Sequence, residues 1–132
     1  MIIIIIDITN EIITRLKNDL SSVAILNSYQ NTTAKFPTIV VEEVNNKVMS
    51  STRDSSGFNH SIVSLRINIF TTGNKKVSDS KSLRNTIDDM LSGEYGMYRV
   101  NAQQVTNYLD DDIYRYVIDY NFTIDKNKVI WV

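Results

Sequence analysis

The chain has 132 residues, 42% hydrophobic and 22% charged, and 14 Lys+Arg against 15 Asp+Glu leave a formal net charge of −1. Such a length suits one domain, 1–132, that buries roughly two thirds of its unfolded-chain surface, and this charge balance excludes a bulk electrostatic hold on nucleic acid or an anionic membrane. With no cysteine there is no disulfide, no thiolate zinc site and no cysteine nucleophile, so stability must come from packing.

The chain opens MIIIIIDITNEI. Asp7 ends the apolar run far short of the about 20 residues a membrane span needs, and no basic region precedes it as in a signal peptide. The run is expected to be buried, either as a backward extension of the first helix, which its proximity favours, or as a short strand, which its β-branched residues favour. Ile8, Ile12, Ile13, Leu16 and Leu20 recur at helical spacing opposite Glu11, Arg15, Lys17 and Asp19. This pattern predicts an amphipathic helix over about 7–21, capped by Asp7 or Thr9.

Pro37 followed by TIVVEEV predicts a strand over about 38–44. The next residues, about 45–60, are dominated by Asn, Ser, Thr, Asp and Gly and predict a mobile polar arm or hairpin, with Val48 and Met49 able to begin a second strand. In SIVSLRINIF, Val63, Leu65, Ile67 and Ile69 alternate with Ser64, Arg66 and Asn68, the mark of a half-buried strand. A turn then supplies Ser78 or Asp79 as a cap for a helix over about 78–92, built on Leu83, Ile87, Met90 and Leu91 and closed by Gly93.

A short strand is expected near 96–102 and a last one over 113–124. In the latter, Tyr114, Tyr116, Ile118, Tyr120, Phe122 and Ile124 share one side and Arg115, Asp119, Asn121 and Thr123 the other. The tail, 125–132, ends in VIWV and is either tucked under the sheet or offered to a neighbour. Strands joined by short connections pair antiparallel, and two helices can cover one face of a sheet. The expected fold is α+β: a four- to five-stranded, mostly antiparallel sheet with two helices on one face, plus the polar arm.

Candidate chemistry is sparse. Asp110, Asp111 and Asp112 stand in front of the last strand, where three carboxylates can in principle hold a hard cation or share protons. No spaced calcium-loop pattern accompanies them, and they read as the solvated approach to a hydrophobic strand. His60 is the only histidine and has no nucleophile elbow to serve. The chain contains no G-x-x-x-x-G-K-[ST], G-x-G-x-x-G or H-E-x-x-H, so no cofactor and no catalytic or metal site is expected. Tyr and Arg interleave in IYRY as in single-strand binders, but Tyr114, Tyr116 and Tyr120 share their face with Ile118 and Phe122, which reads as core. Arg66 and Arg115 project from polar strand faces, either as solvated charges or toward acidic groups of another subunit.

Taken together, FPTIVVEE, SSTRD, VSLRINIF, IDDMLSG and IYRYVIDY resemble the tail terminator (tail completion) proteins of long-tailed bacteriophages and phage-tail-like particles. The likeness runs over most of the chain but not to the terminal VIWV. It implies a non-enzymatic structural subunit of the virion, assembled in the host cytoplasm into a homo-hexameric ring at the head-proximal end of the tail. Such a ring stops growth of the tail tube protein and meets the head-completion or neck protein, while double-stranded DNA passes through without specific binding. On that basis Thr52, Arg53, Asp54, Arg66 and Arg115 are expected at the subunit interface, with 46–60 ordering on assembly. Asp110, Asp111 and Asp112 are expected at the lumen or rim, where negative charge repels DNA. Competing readings are a head-completion connector ring, a small metal-dependent hydrolase and a dimeric binding domain.

Overall fold

A computed structural model describes residues 3–4, 8–27, 36–48, 60–105, 112–125 and 129–131. The elements run β1 (Ile3–Ile4), α1 (Ile8–Asp19), β2 (Ala24–Leu26), β3 (Thr38–Val48), β4 (His60–Thr71), α2 (Lys76–Asp88), a π-helical turn (Asp89–Glu94), β5 (Tyr98–Val105), β6 (Tyr114–Asp125) and β7 (Val129–Trp131). All seven strands join one sheet in the order β1-β7-β6-β4-β3-β2, with β5 also on β6. The free side of β6 is therefore shared, with β5 along Arg115–Asn121 and β7 at Thr123 and Ile124. Every pair is antiparallel except β2 with β3.

The α+β architecture agrees with the sequence reading, and the sheet is larger by its three short strands. Ile3–Ile4 pair with Val129–Ile130, so these two residues of the isoleucine run form a strand. The same pairing corrects the expected C-terminal tail, since residues 129–131 lie within the sheet. Of the two forms expected for 45–60, an arm or a hairpin, the described part is a hairpin: β3 continues to Val48, which pairs with Ser61, while 49–59 lie outside the described residues. The hydrophobic pattern stops at Val44, but ladder hydrogen bonds need no apolar side chain, and the pairing outruns it past a bulge between Glu43 and Asn45.

Both helices cover one face. Ile39 and Val41 of β3, Leu65, Ile67 and Ile69 of β4, and Ile118, Tyr120 and Phe122 of β6 form one cluster with Ile12 and Leu16 of α1 and Leu83 and Ile87 of α2. The period-2 strand pattern and the 3.6-residue helix pattern meet there. Arg15 bridges from α1 to the π-turn through Glu94 at 2.6 Å and also holds Asp19 at 3.0 Å, and these two carboxylates raise its pKa. The buried Tyr95 donates to Glu11 Oε1 at 3.4 Å, closing the same corner.

The second helix starts earlier than its sequence suggests. Its N-cap is Lys75, with no side-chain capping bond, and Asp79 falls in the first turn, where its charge suits the helix dipole. The expected stop at Gly93 is also displaced. The helix loosens into a π-turn, in which Tyr95 N–H reaches Met90 O at 3.1 Å, and the chain leaves through Gly96 at φ 68°. That left-handed conformation suits glycine, and it lets Met97 N–H return to Leu91 O at 2.9 Å.

Ser80 of α2 is fully buried and its hydroxyl has no hydrogen-bond partner among the described residues. Ser80→Ala should therefore raise stability by about 0.5–2 kcal/mol, by removing an unsatisfied buried hydroxyl and improving helix propensity. Urea denaturation measures it; destabilisation would show that the hydroxyl has a partner in solution.

Candidate functional site

The sheet face opposite the helices carries interlocked polar side chains. Register places Glu42, Arg66 and Asp119 in one row across β3, β4 and β6, with Val40, Asn68 and Val117 in the next. Arg66 donates from Nε to Asp119 Oδ1 at 2.8 Å, with Nη2 3.4 Å from Oδ2. The hydrogen bond to Asp119 raises the Arg66 pKa. With the Arg66 side chain 41% exposed, the pair is worth little to stability, about 0–1 kcal/mol.

Asn68, almost fully buried, ties the three strands together. Its Nδ2 donates to Glu42 Oε1 at 3.0 Å, and its Oδ1 accepts from Arg115 Nη2 at 2.8 Å and Nε at 3.3 Å. The opposite amide orientation would turn its NH2 toward the guanidinium and its oxygen toward the carboxylate, so the network defines the orientation. The Arg115 guanidinium also lies 5.6 Å from the centroid of the Phe70 ring. Further along, Ser64 donates to Asn121 Oδ1 at 2.7 Å. A one-residue slip of β4 would drive Arg66 and Asn68 into the hydrophobic face, so this network penalises the wrong register.

Arg66 and Arg115, expected either as solvated charges or toward acidic groups of another subunit, each meet a polar side chain of their own sheet, Asp119 and Asn68. Asp119 and Asn68, their partners, were not singled out from sequence; the signal exists in the alternation of β6, but pairing requires the register between strands 53 residues apart. Thr52, Arg53 and Asp54 lie outside the described residues, as do Asp110 and Asp111. Asp112 is exposed on the turn before β6, and its carbonyl accepts from Thr72 Oγ1 at 3.3 Å. Together with Gly73, Asn74 and Lys76 these two residues border an open surface depression. Among the described residues no group of three His, Cys, Asp or Glu side chains is placed to hold a metal ion. No helix there is long and apolar enough to cross a membrane.

On the helix side, α2 and β5 enclose a small cleft floored by Ala102, Tyr116 and Ile118. Asp88 organises one end. Its Oδ1 accepts from Tyr120 Oη at 2.9 Å and Ser92 Oγ at 3.1 Å, and its Oδ2 lies 3.7 Å from Arg99 Nη1. Burial, reinforced by the hydrogen bond to Asp88, pushes the Tyr120 pKa well above the ordinary phenol range. At the other end the Arg84 guanidinium stacks 3.8 Å from the centre of the Tyr116 ring. The tyrosine face expected as core is core at Tyr120, while Tyr114 and Tyr116 remain half-exposed and stack on each other at 6.5 Å.

β5 forms one long side of the sheet. Among the described residues it pairs only with β6, and Tyr98 and Val100 on it are 72% and 52% exposed. A bulge falls between Arg99 and Asn101. In comparisons with known proteins, no family model matches the chain and no curated protein shows significant similarity to it.

Proposed function

We propose that the chain is a structural subunit of a bacteriophage or phage-tail-like particle, a tail terminator whose ring caps the head-proximal end of the tail tube and joins it to the neck. The observation that carries this reading is β5, an eight-residue sheet edge with Tyr98 and Val100 exposed. Ring closure needs heterologous contacts in which one patch meets a different patch on the next copy, and a bare strand edge with exposed apolar residues provides half of such a contact. The sequence resemblance supplies the location and partners: the tail tube protein below, a head-completion protein above, and DNA passing through the ring. A ring lined near its rim by Asp110, Asp111 and Asp112 would repel the DNA that passes it.

Electron microscopy of the purified protein, with light scattering for mass, is expected to show six-fold rings, alone or on addition of tail tube protein. Val100→Lys should dissociate them without changing helix content, because it places a charge on the exposed edge. A chain that stays monomeric with the tube protein present, or rings indifferent to Val100→Lys, would overturn this assignment of the edge. Rings that cap head connectors but not tubes would favour the head-completion reading.

A further inference from the structure

The cleft between α2 and β5 carries a charge pattern that neither the packing nor the ring reading uses. Lys81, Arg84, Asn85 and Asp88 line it from the helix and Arg99 from the strand. Asp88 is satisfied by Tyr120 and Ser92 and faces Arg99, so its charge compensates one of the three cations. Among the described residues Lys81 and Arg84 have no acidic partner. The Arg84 guanidinium stacks on the Tyr116 ring, and its planar fork of donors suits an oxyanion.

Size and charge narrow the ligand. The cleft holds about 110 Å³, room for several waters but well below the roughly 300–1,000 Å³ of a site that encloses a drug-sized molecule. Its two uncompensated positive charges match a phosphate group, which carries about −1.5 to −2 at neutral pH, better than a single carboxylate. We propose that this cleft binds one phosphate group, either the free ion or the terminal group of a small phosphomonoester, with Arg84 as the forked donor and Lys81 and Arg99 closing on it from helix and strand. The inference is independent of ring assembly.

The test is a titration of the full chain with inorganic phosphate and, separately, with glycerol phosphate at constant ionic strength, following the backbone amide resonances of Lys81, Arg84 and Arg99 by NMR. A saturable shift of those resonances is expected, and Lys81→Ala should weaken binding about tenfold while leaving the fold intact, as loss of one charge-assisted contact does. Saturation by inorganic phosphate only marks a free-ion site, and saturation by glycerol phosphate as well marks a terminal-group site. Absence of saturation with either, an equal response to sodium chloride, or unchanged affinity in Lys81→Ala would overturn the proposal. Should Arg84→Met fail to fold, Lys81→Ala and Arg99→Met, both at exposed positions, still decide it.

Discussion

Ile67→Ala should lower the unfolding free energy by about 2–5 kcal/mol, a large part of the about 5–15 kcal/mol a domain possesses. Ile67 sits at the middle of β4, between Val41 on β3 and Ile118 on β6, with no exposed surface. It belongs to the cluster that receives both helices, so the lost methyl and methylene groups leave a void walled by strands on two sides. Strands hydrogen-bonded on both edges cannot close that void cheaply, which sets the expectation at a substantial loss. Val77→Ala is the control: Val77 is 52% exposed on α2, and its truncation should change stability by no more than about 0.5 kcal/mol. Urea denaturation with an unchanged slope measures both, and a loss for Ile67→Ala no greater than that of the control would refute the placement of the core.

Asp88→Ala should cost about 1–3 kcal/mol, because it strands the Tyr120 hydroxyl in a fully buried position without its acceptor. Tyr120→Phe removes both the hydroxyl and the need for an acceptor and should cost less. In a double-mutant cycle, adding Asp88→Ala to Tyr120→Phe should therefore do less harm than Asp88→Ala alone. The pair also predicts a pH dependence. Burial first, and then the bond to Asp88, raise the folded-state pKa of Tyr120, so the phenol stays protonated in the folded chain after it ionises in the unfolded one. Its contribution is fully present below the unfolded value of about 10 and is lost as pH rises from there toward the folded value, at up to about 1.4 kcal/mol per pH unit. Tyr95, also raised by burial, adds a loss in the same direction. Tyr120→Phe should flatten the alkaline fall in stability measured above about pH 10; an unchanged profile would show that Tyr120 ionises freely in the folded state.

Much of the fold is legible in the sequence. The alternation from Val63 to Ile69 and over 113–124 marks two strands because a strand with one face on a core repeats every second residue, and both emerge nearly at their expected ends. The 3.6-residue spacing of Ile12, Leu16 and their neighbours marks α1 for the same kind of reason. Short elements escaped: Ala24–Leu26 and Val129–Trp131 have three residues each, fewer than any periodicity needs, and exist because a neighbouring strand offered an open edge. The ends of α2 escaped as well. Thr71 Oγ1 donates to Lys76 O at 2.7 Å and Gly96 turns the chain back, contacts that override the caps suggested by Ser78 and Gly93.

The candidate sites divide along the same line. The residues singled out from sequence were those with conspicuous chemistry, such as the aspartate triplet and the strand arginines. The partners the fold supplies are the ordinary Asn68 and Asp119 for those arginines, and Arg84 and Asp88 in the cleft. By itself the sequence determined the α+β class, the core faces of its two long strands and the lack of any recognisable catalytic motif, since each follows from local spacing and residue type. Only the tertiary structure decided which charges meet. Arg66 finds Asp119, Arg115 finds Asn68, and Arg84 and Lys81 line a cleft whose one acid among the described residues, Asp88, faces Arg99, because such pairings depend on register and helix placement between residues far apart in the chain.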